Sequence, residues 1–486
     1  MSVVAGTPAA RTDLSFWRLL AINAFKFGGD GVHWTPLNTI ILQVLAVAVA
    51  AGSTSQGTLI VSKASSAGAV FAVVIPVLVG HLSDKTATRF GRRRPWIAIG
   101  TVINLFGLGL LAGAGSAPAL IGAYLVVQIS NNGAFAAYSA VIPDVVPVRQ
   151  NGQASGLLNA MQQLGTVVGL FALTILLSPD HLGSTHSGAV AGLFVVGVFT
   201  AGSVIITLAA IPEQPLQRVR AVVRTTIPTP LIVGGASFAI ALIALEFVLL
   251  TPFSLWWVLV AGVGTVAVVV AVASAARVPQ VVAAFSPLRD HDFFWVLATR
   301  FFNTFGIWTI APFIAFFFKD VVHRKDYAFD SSLWLLAVIG GGVIPAVIGG
   351  YLSDRLGGRR KLFVYISSGL QAAVSAVLLF TLVTDLPTLY ILGVLFGLGF
   401  GAYQAVDWAL ACDVLPDRDN AAAKDMALFH VSFTLPQVFG PALAGQLLYH
   451  LNQSPGANFG YRVVFATAAI WFVLSLVFVR NIKGVR

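Results

Sequence analysis

Cysteine is almost missing from this chain: Cys412 is the only one in 486 residues. A lone thiol excludes an intrachain disulfide and a cysteine-based metal cluster. Charge is scarce as well, at 10% of residues, with 19 acidic groups against 29 basic ones. Soluble domains usually carry about a quarter charged residues, so that class is excluded. No Walker loop and no His-Glu-x-x-His pattern occurs, and Cys412 has no recognisable catalytic context. An enzyme or a nucleotide-driven pump is therefore not expected, nor is a metal or cofactor. The first fifteen residues lack the basic start, short apolar core and cleavage site of a signal peptide, so the first helix is expected to be retained.

What the chain has instead is apolar length, with 57% hydrophobic residues. Apolar runs of at least about 18 residues are long enough to cross a bilayer as helices. They fall at 17–46, 58–82, 96–114, 118–142, 153–178 and 187–211, then 230–251 and 254–276, then 292–320, 331–353, 361–383, 387–411, 422–450 and 461–480. The expected fold is an all-α polytopic membrane protein of fourteen helices. Its basic residues sit at the ends of these runs, where the positive-inside rule and anionic headgroups account for the net charge of +10. No basic face with interleaved aromatics marks a nucleic-acid partner.

The densest charge is the loop Gly80 to Trp96, GHLSDKTATRFGRRRPW, between two membrane-length runs. Arg89, Arg92, Arg93 and Arg94 place it on the cytoplasmic side, with both termini, in a multi-pass cell-membrane protein. Its pattern Gly80-x-x-x-Asp84-Lys85 followed by Gly91-Arg92-Arg93 resembles the loop signature of the major facilitator superfamily of secondary transporters. The wording LSDKTATRFGRRRPW is most similar to the branch holding the glycoside-pentoside-hexuronide cation symporters and the plant sucrose transporters. The resemblance implies two six-helix bundles working by alternating access, a cavity lined by helices 1, 4, 7 and 10, and a cytoplasmic latch. It assigns the latch to Gly80, Asp84, Arg92, Asp354 and Arg355. As a plain charge run, the same arginines only set topology.

Internal repetition supports the duplication. Phe16-Trp17 with Phe27-Gly28 recurs as Phe294-Trp295 with Phe305-Gly306 at an offset of 278. Leu82-Ser83-Asp84-Lys85 recurs as Leu352-Ser353-Asp354-Arg355 at 270, and Asp144-Val145-Val146-Pro147-x-Arg149 as Asp413-Val414-Leu415-Pro416-x-Arg418 at 269. Six helices with short loops need only about 200 to 220 residues. The surplus of about 50 residues matches two more spans at 20 to 25 each. The expected organisation is a bundle at 1–211, a linker at 212–291 carrying an inserted hairpin at 230–276, and a bundle at 292–486.

Ionisable groups inside a bilayer are costly unless paired or facing water, which makes them candidates for function. The first span carries Asn23, Lys26, Asp30, His33 and Trp34 at helical spacing. Asp30 lies about 20 Å from the start of its span and is the first candidate for a titrating carboxylate, with a permanent Lys26-Asp30 packing pair as the alternative. Helix 4 offers Gln128, Asn131, Asn132 and Tyr138; helix 7 offers Arg300, Asn303 and Trp308; helix 10 offers Tyr403, Gln404, Asp407 and Trp408. Arg300 and Asp407 fall at comparable depth and are expected to pair, structurally or for coupling. Amides and a phenol suit a hydroxyl-rich ligand, and indoles stack on the apolar face of a sugar ring, although each aromatic is individually as well explained by packing. Helix 11 adds Lys424, Asp425, His430 and Gln437.

The reading is a monomeric secondary transporter taking a sugar-like substrate with protons. The paired helix 2 aspartates of melibiose-type members are absent, since 58–80 holds Lys63 as its only charge, which favours protons over sodium. The rivals are a proton-driven exporter of drugs or metabolites and a non-transporting membrane sensor or scaffold.

Overall fold

Long apolar runs that begin at a cap and end at a charged loop become long helices. The computed structural model describes residues 13–86, 88–147, 150–178, 184–212, 286–355, 359–416, 422–452 and 458–484, with a few positions between 263 and 277. The first half holds α1 (Phe16–Val49), α2 (Thr54–Lys85), α3 (Arg94–Ala112), α4 (Ala117–Ser139), α5 (Asn151–Leu177) and α6 (Thr185–Ala210). The second holds α7 (His291–Asp320), α8 (Tyr327–Arg355), α9 (Arg360–Thr381), α10 (Leu386–Asp413), α11 (Ala422–Leu451) and α12 (Phe459–Phe478). Ten of the described spans meet both the length and the apolarity that a membrane crossing requires. Starts are capped by side chains: Ser15, Ser53, Ser116, Ser184, Asp290 and Asp385 each accept from a first-turn amide, satisfying donors that have no partner within the helix.

The expected spans at 17–46 through 187–211 and at 292–320 through 461–480 are found within a few residues of those bounds. The expected hairpin at 230–251 and 254–276 lies outside the described residues. α6 ends and α7 begins at the same end of the bundle, because Arg94 at the start of α3 bonds the Ile211 carbonyl while the far end of α7 meets the start of α2.

The packing is duplicated. Within the first half α2 and α3 pack on α4, and α5 and α6 on α1; within the second, α8 and α9 pack on α10, and α11 and α12 on α7. The halves meet along α2 with α11 and α5 with α8, each pair the symmetry mate of the other. Glycines allow the closest approaches, as a Cβ at Gly165 would strike the Phe27 carbonyl and one at Gly397 the Val338 carbonyl. Pro76 in α2 and Pro345 in α8 occupy matching positions and remove a helix hydrogen bond in each.

One hydrophobic cluster spans both halves at the end away from the basic loops, joining Leu42, Leu45 and Ile60 to Phe313, Phe317 and Phe472. At the basic-loop end the buried clusters belong to single halves, around Phe293 and Tyr403 in one and around Phe25 and Tyr138 in the other. The hydrogen bonds that join the halves among the described residues follow the same division. Gln43 donates to the Pro312 carbonyl at 2.7 Å, Thr54 to Asp320 at 2.7 Å, Ser62 to the Ala442 carbonyl at 3.2 Å and Lys319 to the Gly52 carbonyl at 2.6 Å.

Candidate functional site

α1 is not a uniform α-helix. It passes through π-helical turns at Lys26–Val32 and Leu37–Ile41, separated by one α-turn. A π-turn closes i→i+5 rather than i→i+4, so side chains expected in one stripe are rotated apart. Asn23 and His33 are fully buried, whereas Asp30, Trp34 and Asn38 stay half-buried on successive turns. Asn23 donates to the Leu19 and Ala154 carbonyls and accepts from the Tyr138 hydroxyl at 2.9 Å. Tyr138 is stacked on Phe25 at 4.5 Å, so this pair ties α1 to α4 and α5. His33 lies 3.4 Å from the Asn131 amide and edge-on to Trp34, and Asn131 also donates to the Gly29 carbonyl.

Lys26 and Asp30 form an ion pair one π-turn apart, and the ammonium also lies 4.5 Å over the Phe135 ring. Asp30 keeps 15% of its side chain exposed, so the pair is mostly but not wholly withdrawn from water. Next to it runs a hydrogen-bond chain that the sequence reading identified only in part. Asn132 donates to Gln128 at 2.9 Å, Gln128 to the Tyr124 hydroxyl at 2.7 Å and Tyr124 to Asn38 at 2.9 Å. Tyr124 and Asn38 were missed; the signal was the continued four-residue spacing 30, 34, 38 on α1 and 124, 128, 132 on α4.

In the second half the expected pair is present: Arg300 Nε is 3.3 Å from Asp407, both almost fully buried. The guanidinium also lies 3.6 Å over Phe429 and donates to the Phe429 carbonyl at 3.4 Å. Asn303 is fully buried and donates to Gln371 at 2.8 Å and Ser368 at 3.3 Å, an α7–α9 packing contact. Tyr403 is buried beside Asp407; Trp308 is half-buried and Gln404 exposed. The side chains of Trp408, Lys424, Asp425 and His430 lie outside the described set.

The charged loop has a structure of its own. Gly91 sits at φ 98°, where a side chain would be strained, and the Thr88 hydroxyl donates to its carbonyl at 2.6 Å. Arg92 and Arg93 both reach Asp144, in the short helical segment Val141–Val145 that follows α4, at 2.5 and 2.9 Å, and Arg93 also donates to Ser83 on α2. The second half repeats this: Arg360 holds Asp413 at 2.6 Å, and Lys361 bonds the Ile482 carbonyl as Arg94 bonds Ile211. Asp144 and Asp413 were absent from the expected latch, although the repeated Asp-Val-x-Pro-x-Arg block marked both. The side chains of Asp84 and Asp354 lie outside the described set, Gly80 has open space where a Cβ would stand, and Arg355 is exposed. Arg324, at the end where the positive-inside rule expects no cation, is neutralised by Asp330 at 2.6 Å. That hydrogen bond and charge raise its pKa above the ordinary guanidinium value. Among the described residues no cluster of His, Cys, Asp and Glu could hold a metal ion.

Several solved transporters share this arrangement. The nucleoside transporter NupG superposes with a TM-score of 0.61 at 13% identity, over 96% of this chain and 98% of that one. An auto-inhibited POT-family peptide transporter gives 0.63 at 16%, over 96% and 95%. A bacterial homologue of the human lysosomal transporter Spinster, inward-facing and unoccupied, gives 0.57 at 14%, over 97% and 98%. At such identities the likeness shows the fold alone. No curated protein matches the sequence. The family model described as Major Facilitator Superfamily matches residues 19–423 and 296–483, both halves of the duplicated bundle, and the chain belongs to that family of transporters.

Proposed function

We propose that this transporter is a proton-coupled symporter of a glycoside or disaccharide, working as a monomer in the cell membrane by alternating access. The observation that carries the reading is the mostly buried Lys26-Asp30 pair beside Trp34 and the Asn38-Tyr124-Gln128-Asn132 chain. An indole and a row of amides match the two faces of a sugar ring, and a carboxylate beside a cation inside the membrane is a candidate for coupling. With the basic loops and both termini cytoplasmic, the end where the halves share one core is the outer one. The state described is then closed to the outside, and substrate exchange occurs from within. Asp84, Gly80, Arg92, Asp354 and Arg355 act as the cytoplasmic latch, supported by Asp144 and Asp413.

The test is uptake into proteoliposomes under an imposed pH gradient, preceded by a thermal-shift screen against sugars and lipophilic cations. A disaccharide that both stabilises the protein and accumulates against its gradient supports the reading. Stabilisation by lipophilic cations alone, with proton-driven efflux, replaces it with the exporter.

A further inference from the structure

The hydrogen-bond chain along α1 and α4 does not stop at Asn38. Asn38 accepts from Tyr124 through its side chain, and its main-chain carbonyl accepts from Gln43 Nε2 at 2.6 Å. The same nitrogen donates to the Pro312 carbonyl on α7, in the opposite half, at 2.7 Å. Both carbonyls stand where a helix is interrupted: Asn38 in the π-turn Leu37–Ile41 of α1, Pro312 in the 3₁₀ turn Ala311–Phe313 of α7. At such breaks a carbonyl leaves the regular helix ladder and is open to a side-chain donor. Pro36, just before the first break, and Pro312, within the second, are 276 residues apart, close to the repeat offset of 278, so the interruptions correspond in the two halves. A reciprocal bond runs the other way, from Lys319 on α7 to the Gly52 carbonyl beyond α1, at 2.6 Å.

The amide of Gln43 fits only one way round. Two carbonyls face it, and an amide oxygen turned toward them would find no hydrogen. Nε2 therefore spends both of its hydrogens, and Oε1 is left buried with no partner among the described residues. The side chain is fully buried, within the cluster that joins the halves through Ile41, Leu45 and Phe313. Away from water each of the two bonds is strong, while the orphaned oxygen disfavours the joined state and is relieved when water enters. Such a clasp holds without being permanent.

We propose that Gln43 is a positioning residue for transport: it ties the polar row of α1 and α4 to α7, and so sets how readily the halves part at the end away from the basic loops. Asn38 is held in turn by Tyr124, so a change at the row reaches the clasp through two hydrogen bonds. That the row takes substrate and that this end faces outward rest on the function proposed above; the clasp itself does not.

The test needs no ligand. In Cys412→Ser protein, Ser62→Cys places a thiol in the seam between α2 and α11, where Ser62 is fully buried and bonds the Ala442 carbonyl. Ser375→Cys places one on α9, buried within the second half alone. Labelling of the full chain in lipid nanodiscs with a soluble maleimide should be about tenfold faster at Ser62→Cys when Gln43→Met is added, a loss of both bonds at nearly constant volume. Gln43→Asn, whose amide is too short to span both carbonyls, should give an intermediate rate and reads the clasp where the methionine variant fails to fold. Tyr124→Phe, which removes the hydroxyl that holds Asn38, should raise the rate about threefold. At Ser375→Cys labelling should stay as slow as in the parent throughout. An unchanged rate at Ser62→Cys in the Gln43 variants, or in Tyr124→Phe, overturns the proposal. So does faster labelling at both reporters, which marks general loosening rather than a released clasp. Rates that change as expected in a protein that takes up no disaccharide support the clasp and count against the proposed function alone.

Discussion

Asp407→Leu removes the carboxylate of a pair that is 3.3 Å apart and almost fully withdrawn from solvent. Breaking a buried pair from one side costs about 3–5 kcal/mol, because the remaining charge is left uncompensated. Arg300 keeps its contact with Phe429 at 3.6 Å in wild type and variant alike, so the aromatic ring offsets little of that cost. Asp407→Asn retains an acceptor and recovers about 1 kcal/mol. In a unit the size of the second half, 1 kcal/mol corresponds to about 2–4 °C, so the leucine variant should lose roughly 6–20 °C of Tm. Arg300→Met/Asp407→Leu, which removes both charges, should recover at least half of the loss. The assay is thermal unfolding followed by size-exclusion chromatography on all four members of the cycle. Additive losses, with the double variant the least stable, would refute the claim that these two charges are each other's main partner. Measured in proteoliposomes, a double variant that folds well yet no longer accumulates substrate assigns the pair to coupling; unchanged accumulation leaves it a packing element.

Asp30→Asn should abolish uphill, proton-driven accumulation while substrate exchange persists, because exchange needs no net proton cycle; counterflow against gradient-driven uptake separates the two. Asp84→Asn should slow transport while equilibrium substrate affinity stays within a few-fold, since the loop lies at the rim of the bundle; loss of binding in a thermal-shift titration counts against the latch. Asp144→Asn and Asp413→Asn should each have the same kinetic phenotype, as each carboxylate receives an arginine from the loop beside it. Gly165→Leu should abolish folded yield on gel filtration, because the side chain would occupy the space of the Phe27 carbonyl where α5 crosses α1, while Gly109→Leu, with open space at its Cβ position, should be tolerated.

The spans were legible because each is a run of apolar residues closed by a cap, a glycine or an arginine, and a membrane tolerates few other backbone solutions. The Arg300-Asp407 pair was legible from depth alone, since opposite charges at one level of a bundle have few other partners. The face of α1 was not. A 3.6-residue period assumes a regular helix, and the π-turn over Lys26–Val32 turns Asn23 and His33 into the packing while Asp30 and Trp34 remain half-buried. The anchors of the loop arginines were hidden for another reason. Asp144 is 51 residues from Arg93 in sequence, and only the packing of α3 on α4 brings them together.

The halves share one hydrophobic cluster at one face of the bilayer and keep separate ones at the other. Two bodies joined by a core at one end only are able to spread at the other, beside the basic loops. If the halves rock as proposed, the open end moves from one leaflet to the other, so each turnover does mechanical work against the lateral pressure of both. Lipids or small amphiphiles that crowd a single leaflet should then shift the balance between the two states without touching the substrate site.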